Sequence, residues 1–359
     1  MFPSPGERWV PGALKKSKKV EREATLWRRR KSRTMTTILR DSHVGEAARH
    51  EALLYASADE FASLTAPFVA EGLDNDESAM VVTSAENLAA FRAALDEPSP
   101  LVFLVDADDW YRKPAETVGR WVGFVEGQVS KGRSRVRGVG EIAPLRRDHA
   151  VEQWLHYESI LNTLLAPIPL WVLCAYNTEA LQDSIIDDIR TSHPTVIEHG
   201  SSSTSESYVP PTRIPTWSLT LDGRHPLTHR PVDVADTCVY VEAEARRAGL
   251  AEWQVQQLLA AVGEIACNAF VHGSAPVFVT AWDEHESFVC QIEDKGAGIV
   301  DLAAGYGPPT NGNDGWGLWL ARLNTDSLEV GRGPHGSAVR LTMHRSSDAT
   351  PRRTLTHRL

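Results

Sequence analysis

Glu264-Ile265-Ala266-Cys267-Asn268-Ala269-Phe270-Val271-His272 decides the reading of the second half of this chain. Glu264, Asn268 and His272 stand four residues apart, so on a helix they form one polar row, while Leu258, Val262, Ile265 and Ala269 cover the apolar side. A carboxylate and a carboxamide in such a row are hard oxygen ligands or proton acceptors. That chemistry suits Mg²⁺ and a nucleophilic hydroxyl.

Two further pieces lie downstream. Asp294-Lys295-Gly296-Ala297-Gly298 follows the alternating strand Phe288-Val289-Cys290-Gln291-Ile292-Glu293. An aspartate at a strand end can accept from an exocyclic amine, and glycines behind it let backbone pass close to a flat ring. Gly312-Asn313-Asp314-Gly315-Trp316-Gly317-Leu318 precedes a short helix, and free amides at a glycine-rich helix start attract phosphate. Each piece alone occurs by chance in many loops; their order, with a β-hairpin and the segment Gly298 to Asp314 between them, carries the information.

This order resembles the Bergerat-type (GHKL) ATPases, the superfamily of histidine kinases and type II topoisomerases. Over residues 216–346 it looks most like the anti-sigma-factor serine kinases. The resemblance implies an α+β sandwich that binds ATP and Mg²⁺. It makes Glu264 the catalytic general base, or the group orienting the attacking serine hydroxyl, and Asn268 the Mg²⁺ ligand. Asp294 would recognise the adenine amine, Gly296 and Gly298 would shape the floor under the ring, and Gly315, Gly317 and Leu318 would close over the phosphates. Ser337 sits where the family commonly has a threonine near adenine, and His272 either steadies Glu264, approaches phosphate or simply caps its helix. The loop Tyr306 to Gly312 would act as a lid, whereas surface solvation is the simpler reading of Lys295 and Arg322.

Working outward, this domain reads as a strand near Trp217 to Leu221, helices at 233–248 and 251–272, strands at 276–283 and 286–294, a short helix, and closing strands at 327–331 and 337–343. Residues 197–215, rich in Ser and Pro, read as a linker. Before it, residues 41–196 alternate strand-like and helix-like stretches: strands at 79–83, 101–105, 136–142 and 170–176, and helices at 85–95, 115–128 and 152–165. Such alternation implies a largely parallel α/β sheet. The stretches His50 to Tyr55 and Glu71 to Val82 resemble the MEDS sensory domain, which itself looks like a RecA- or KaiC-type ATPase. The strand at Met80 runs into Thr83-Ser84-Ala85-Glu86-Asn87, with neither glycine nor lysine, so no phosphate loop is present and this domain is expected not to hydrolyse ATP. Its role is then sensing or docking: Asp106 to Tyr111, Gly140-Glu141 and Trp154 to Glu158 lie at strand ends or on a helix, where open α/β sheets place ligand sites, and for any single residue the simpler reading is a core aromatic or a solvated acid.

No run of about 18 apolar residues is present, which predicts a cytoplasmic chain without a membrane span. The net charge is −10, yet residues 1–34 hold eleven Lys or Arg against three Glu, so the acidic body is expected to avoid nucleic acid directly. Residues 1–40 and 347–359 read as disordered tails, and either Met1 or Met35 could be the start. Cys174, Cys238, Cys267 and Cys290 show no metal spacing and read as small buried thiols.

The resemblances together imply an anti-sigma regulatory factor with serine kinase activity toward an anti-sigma-factor antagonist of the STAS type, controlled by the front domain and able to hold a sigma factor. Two alternatives stand beside it: an ATP-binding, sigma-sequestering protein without kinase activity, and a sensor histidine kinase. For the latter, His193, His199, His225 and His229 fall in sequence read as linker rather than on a dimerisation helix. A homodimer is left open.

Overall fold

The computed structural model describes residues 48–95, 99–146, 151–214, 217–221, 228–284, 286–299, 301, 303–307 and 316–345. The basic head and the C-terminal tail lie outside the described residues, and the described residues form one compact unit.

The first sheet has the order β3-β2-β4-β5-β1-β6-β7. Its strands are β1 (Arg49–Tyr55), β2 (Ser78–Thr83), β3 (Val102–Asp106), β4 (Val136–Gly140), β5 (Leu170–Asn177), β6 (Thr195–Glu198) and β7 (Ser201–Thr204). All pairs are parallel except β6 with β7. Central strands of a parallel sheet are covered on both faces and must be apolar throughout. Ala52-Leu53-Leu54 and Met80-Val81-Val82 meet that demand, all buried. On one face lie α1 (Ala58–Asp74) and α2 (Ala85–Ala94), contributing Phe61, Val69, Leu88 and Phe91 to the core. The other face is covered by α4 (Pro114–Val129), α5 (Val151–Leu164) and α6 (Asp183–Ser192), following the short α3 (Ala107–Trp110). Trp110, Tyr111, Trp121, Trp154 and Tyr157 pack there.

At the turn between β2 and α2 the donors of the helix start are already taken. Ser84 caps α2, and the Glu141 carboxylate accepts from Thr83 Oγ1, from Ser84 N at 3.0 Å and from Asn87 Nδ2 at 3.1 Å. A protein carboxylate thus takes the donors that a helix start would offer an anion. Glu141 and Glu158 are buried, not solvated as the sequence suggested: Glu141 meets donors of a distant turn, and Glu158 faces ring nitrogens of His50 and His193.

Three expectations need correcting. Strand β7 pairs antiparallel with β6 and extends the sheet, so the segment read as linker from 197 begins as an edge hairpin. Its serines are exposed, which is tolerable on an edge strand and hides the strand from any hydrophobic pattern. His193 is not in a linker but fully buried at the end of α6. Cys174 lies 3.2 Å from His50 Nε2, in polar rather than apolar surroundings.

The second sheet runs β8-β11-β12-β10-β9, built from β8 (Trp217–Ser218), β9 (Phe278–Glu284), β10 (Ser287–Asp294), β11 (Ser327–Gly333) and β12 (Gly336–His344). Only β8 with β11 is parallel. Helices α7 (Val234–Arg247), α8 (Glu252–Val271) and α9 (Trp316–Asn324) supply the rest, and Val255, Leu258, Val262, Ile265 and Ala269 of α8 pack on Val279, Cys290, Ile292 and Leu341. The result is an α+β sandwich beside a parallel-rich α/β domain. Among the described residues no helix is long and apolar enough to cross a membrane.

Candidate nucleotide site

The apolar side of α8 fixes which way its polar row points. With Leu258, Val262 and Ile265 committed to the sheet, Glu264 and Asn268 face α9 at its first turn. A Cβ built on Gly317 would stand 3.0 Å from Glu264 Oε2 and 3.4 Å from Asn268 Nδ2. The glycine therefore lets the start of α9, with its free amides, come down onto the carboxylate and the carboxamide.

The end of β10 forms the second wall. Asp294 is 8 % exposed, and its Oδ1 accepts from Ser274 N at 3.1 Å and Gly296 N at 2.6 Å. Both bonds fall on one oxygen. Oδ2 has no protein hydrogen bond among the described residues and stays an acceptor for an amine. Ser337 lies directly opposite Asp294 in the β10–β12 register and is buried. Gly298, at φ +88°, passes the Ser337 hydroxyl, with its missing Cβ 3.7 Å away.

Gly273 and Ser274 were not singled out from sequence. Ser274 donates to Asp294, and a Cβ on Gly273 would lie 2.6 Å from Asp294 Cγ and 2.4 Å from Ala269 O. Their signal was present as two small residues immediately after the His272 helix end. His272 itself is exposed and ends α8, its N–H bonded to Asn268 O at 2.8 Å. Leu318 packs against the domain core, so any part it plays over phosphates comes from its backbone. Gly315, with the rest of 308–315, lies outside the described residues.

Helix α9 is also the piece that the first domain touches. Trp319 and Leu323 pack against the core built on α4 and α5, and Lys113 donates to Leu323 O at 3.1 Å with Asp326 4.0 Å away. Burial lowers the Lys113 ammonium from its ordinary value, and only in part do Asp326 and Glu116 restore it. His156 of α5 meets Trp217 and Tyr306, with ring centroids 4.8 and 5.8 Å apart. Arg322 stacks over Tyr306 at 3.9 Å and donates to Leu328 O at 2.6 Å, so it braces this contact rather than standing in solvent. Lys295 is exposed, as expected.

Residues 49–194 match the model of the MEDS domain, the methanogen/methylotroph, DcmR sensory domain. Residues 227–343 match that of the histidine kinase-like ATPase domain. The order is the one expected from the motifs. No curated protein matches the chain.

Proposed function

We propose that this chain is an anti-sigma regulatory factor whose ATPase domain transfers phosphate from ATP to a serine of an anti-sigma-factor antagonist, under the control of its sensory domain. The supporting observation is the convergence of Glu264 and Asn268 on the start of α9, with Asp294 and Ser337 at strand ends beside the close of α8. These residues fit a magnesium nucleotide: Asp294 Oδ2 offers an acceptor for the adenine amine, Asn268 a hard oxygen for Mg²⁺, and the α9 amides donors for phosphate. When bound, Mg²⁺-ATP supplies the phosphoryl group and part of the charge neutralisation. Glu264 orients the incoming serine hydroxyl and accepts its proton. The α9 amides would hold the phosphates while Glu264 aligns the hydroxyl for in-line attack, and such positioning is most of what phosphoryl transfer asks of a protein.

Control by the front domain rests on α9, which touches Glu264 on one side and α4 on the other. A sensor histidine kinase is the weaker reading. His193 is buried in the first domain, His199 sits exposed in the turn after β6, and part-exposed His229 bridges to Val279 and stacks on Tyr240 with centroids 4.6 Å apart; none of these three lies within a helix, and His225 falls outside the described residues.

The experiment is incubation of the full chain with γ-labelled ATP, Mg²⁺ and candidate antagonists from the native host. Label appearing on an antagonist serine, and lost with Glu264→Ala, is the expected result. Nucleotide binding without transfer to any antagonist would favour the sequestering alternative, and label on a histidine of the chain would favour the third.

A further inference from the structure

We propose that His50, Glu158, Cys174 and His193 form a binding site for one four-coordinate divalent cation of the Zn²⁺ class, buried in the core of the sensory domain. The four come from four elements. Cys174 on β5 pairs with Ala52 of β1, two residues from His50, so the thiol and that imidazole rise from the same face of the sheet. Glu158 descends from α5, and His193 closes from the end of α6. Their donor atoms all lie within 4.8 Å of one another. His50 Nε2 is 2.9 Å from Glu158 Oε2 and 3.2 Å from Cys174 Sγ, and His193 Nε2 is 3.1 Å from Glu158 Oε2.

The surrounding hydrogen bonds set the direction of the lone pairs. Asn162 Nδ2 donates to Ser192 O at 3.0 Å, which leaves Asn162 Oδ1 to accept from His50 Nδ1 at 3.3 Å. His193 Nδ1 donates to Ile189 O at 2.8 Å. With both Nδ1 atoms protonated outward, a neutral ring at either position turns its Nε2 lone pair toward the Glu158 carboxylate. Metal-binding histidines are held in this way, one nitrogen bonded to a carbonyl or carboxamide and the other left to coordinate. Two acceptors facing a third acceptor repel unless protons or a cation lie between them.

The second observation is Glu158 Oε1. It is buried, on a residue 0 % exposed, and has no hydrogen-bond partner among the described residues. A buried carboxylate oxygen left bare is expensive, and an ion beside it removes that penalty. Charge also balances: Zn²⁺, one thiolate, one carboxylate and two neutral imidazoles sum to zero, which is what a dry core tolerates. Zinc bonds of roughly 2.0 to 2.3 Å place tetrahedral ligands about 3.3 to 3.7 Å apart, so modest side-chain shifts from the present contacts would admit the ion. Binding would release the Cys174 proton, and any proton shared between Glu158 and the histidines, to solvent. Two imidazoles and a thiolate select a borderline transition metal over Mg²⁺ or Ca²⁺.

The test uses the full chain, stripped with chelator and titrated with Zn²⁺ and with Co²⁺ as a spectroscopic substitute. We expect one equivalent per chain, with tetrahedral cobalt bands and a thiolate-to-cobalt charge-transfer band. Cys174→Ser should abolish the charge-transfer band, and Asn162→Leu should weaken binding by about 10- to 100-fold without changing the cobalt spectrum. A folded wild-type chain that binds no stoichiometric metal overturns the proposal and leaves a proton-sharing cluster. So does a wild-type cobalt complex lacking the thiolate band, a result that needs no variant to fold. A thiolate band that survives in Cys174→Ser would place the metal on another cysteine and also overturn it. None of these readouts involves ATP, so they stand apart from the kinase reading.

Discussion

Gly317 rests against Glu264: a Cβ there would come to 3.0 Å from the carboxylate oxygen, which would have to give by a few tenths of an ångström. With no side chain here the start of α9 lies directly against the polar row of α8, and a branched side chain would have to displace one of the two helices or the Glu264 carboxylate. Gly317→Val should therefore push α9 away from Glu264 and Asn268, weakening ATP binding by about tenfold or more, which is about 1.4 kcal/mol. Titration calorimetry checks it, and unchanged affinity would mean that α9 takes no part in the site.

Glu264 and Asp294 should separate chemistry from binding. Glu264→Ala removes the proton acceptor and is expected to lower phosphate transfer by roughly 10² to 10⁴ while nucleotide affinity holds. Asp294→Asn puts an amide where two backbone donors and an amine converge, so affinity itself should fall, as it should in Asn268→Ala through loss of Mg²⁺. Equal ATP affinity in all three variants would undo the assignments.

The sheets and helices were legible where local pattern and burial agree. The period of four in Glu264, Asn268 and His272 placed α8, and apolar runs placed β2, β4 and β5 to within a few residues. What escaped was set by partners far along the chain. Ser201–Thr204 has no apolar residue to announce a strand, and only its pairing with β6 makes it one. The partners of Cys174 at positions 50, 158 and 193 share no spacing, so a thiol read as apolar proved to sit in a polar cluster. The support of Asp294 by Gly273 and Ser274 likewise follows from β10 ending beside the close of α8, a contact no local window contains.

Gly273 carries a prediction of its own. The Ala269 carbonyl, 2.4 Å from a Cβ at that position, is backbone and cannot swing aside, and Asp294 Cγ is nearly as close. Gly273→Ala should destabilise the ATPase domain by about 1–3 kcal/mol through overpacking and displace Asp294, so that ATP affinity falls along with the melting temperature. Gly123→Ala, on the exposed side of α4 with nothing within 4 Å of the added Cβ, is the control expected to leave ATP affinity unchanged and the melting temperature no lower. A Gly273→Ala protein with wild-type stability would show that the close approach is relieved at no cost.

Lys113 makes the contact between the domains dependent on pH. Burial lowers its value below the 10.5 that the unfolded chain retains, so between the lowered value and 10.5 the unfolded state binds more protons than the folded one. Stability should then climb as pH rises through that window, the reverse of a surface lysine gaining an acidic partner. Lys113→Met keeps the length of the side chain and removes the charge. It should flatten this rise and leave neutral-pH stability equal to or above wild type, since replacing a poorly paired buried charge by an apolar group is often neutral or favourable. Urea unfolding midpoints measured across the window decide the matter. Parallel profiles for the two proteins would show that the ammonium is solvated, and that Leu323 and Asp326 of the ATPase domain are held by packing of Trp319 and Leu323 alone.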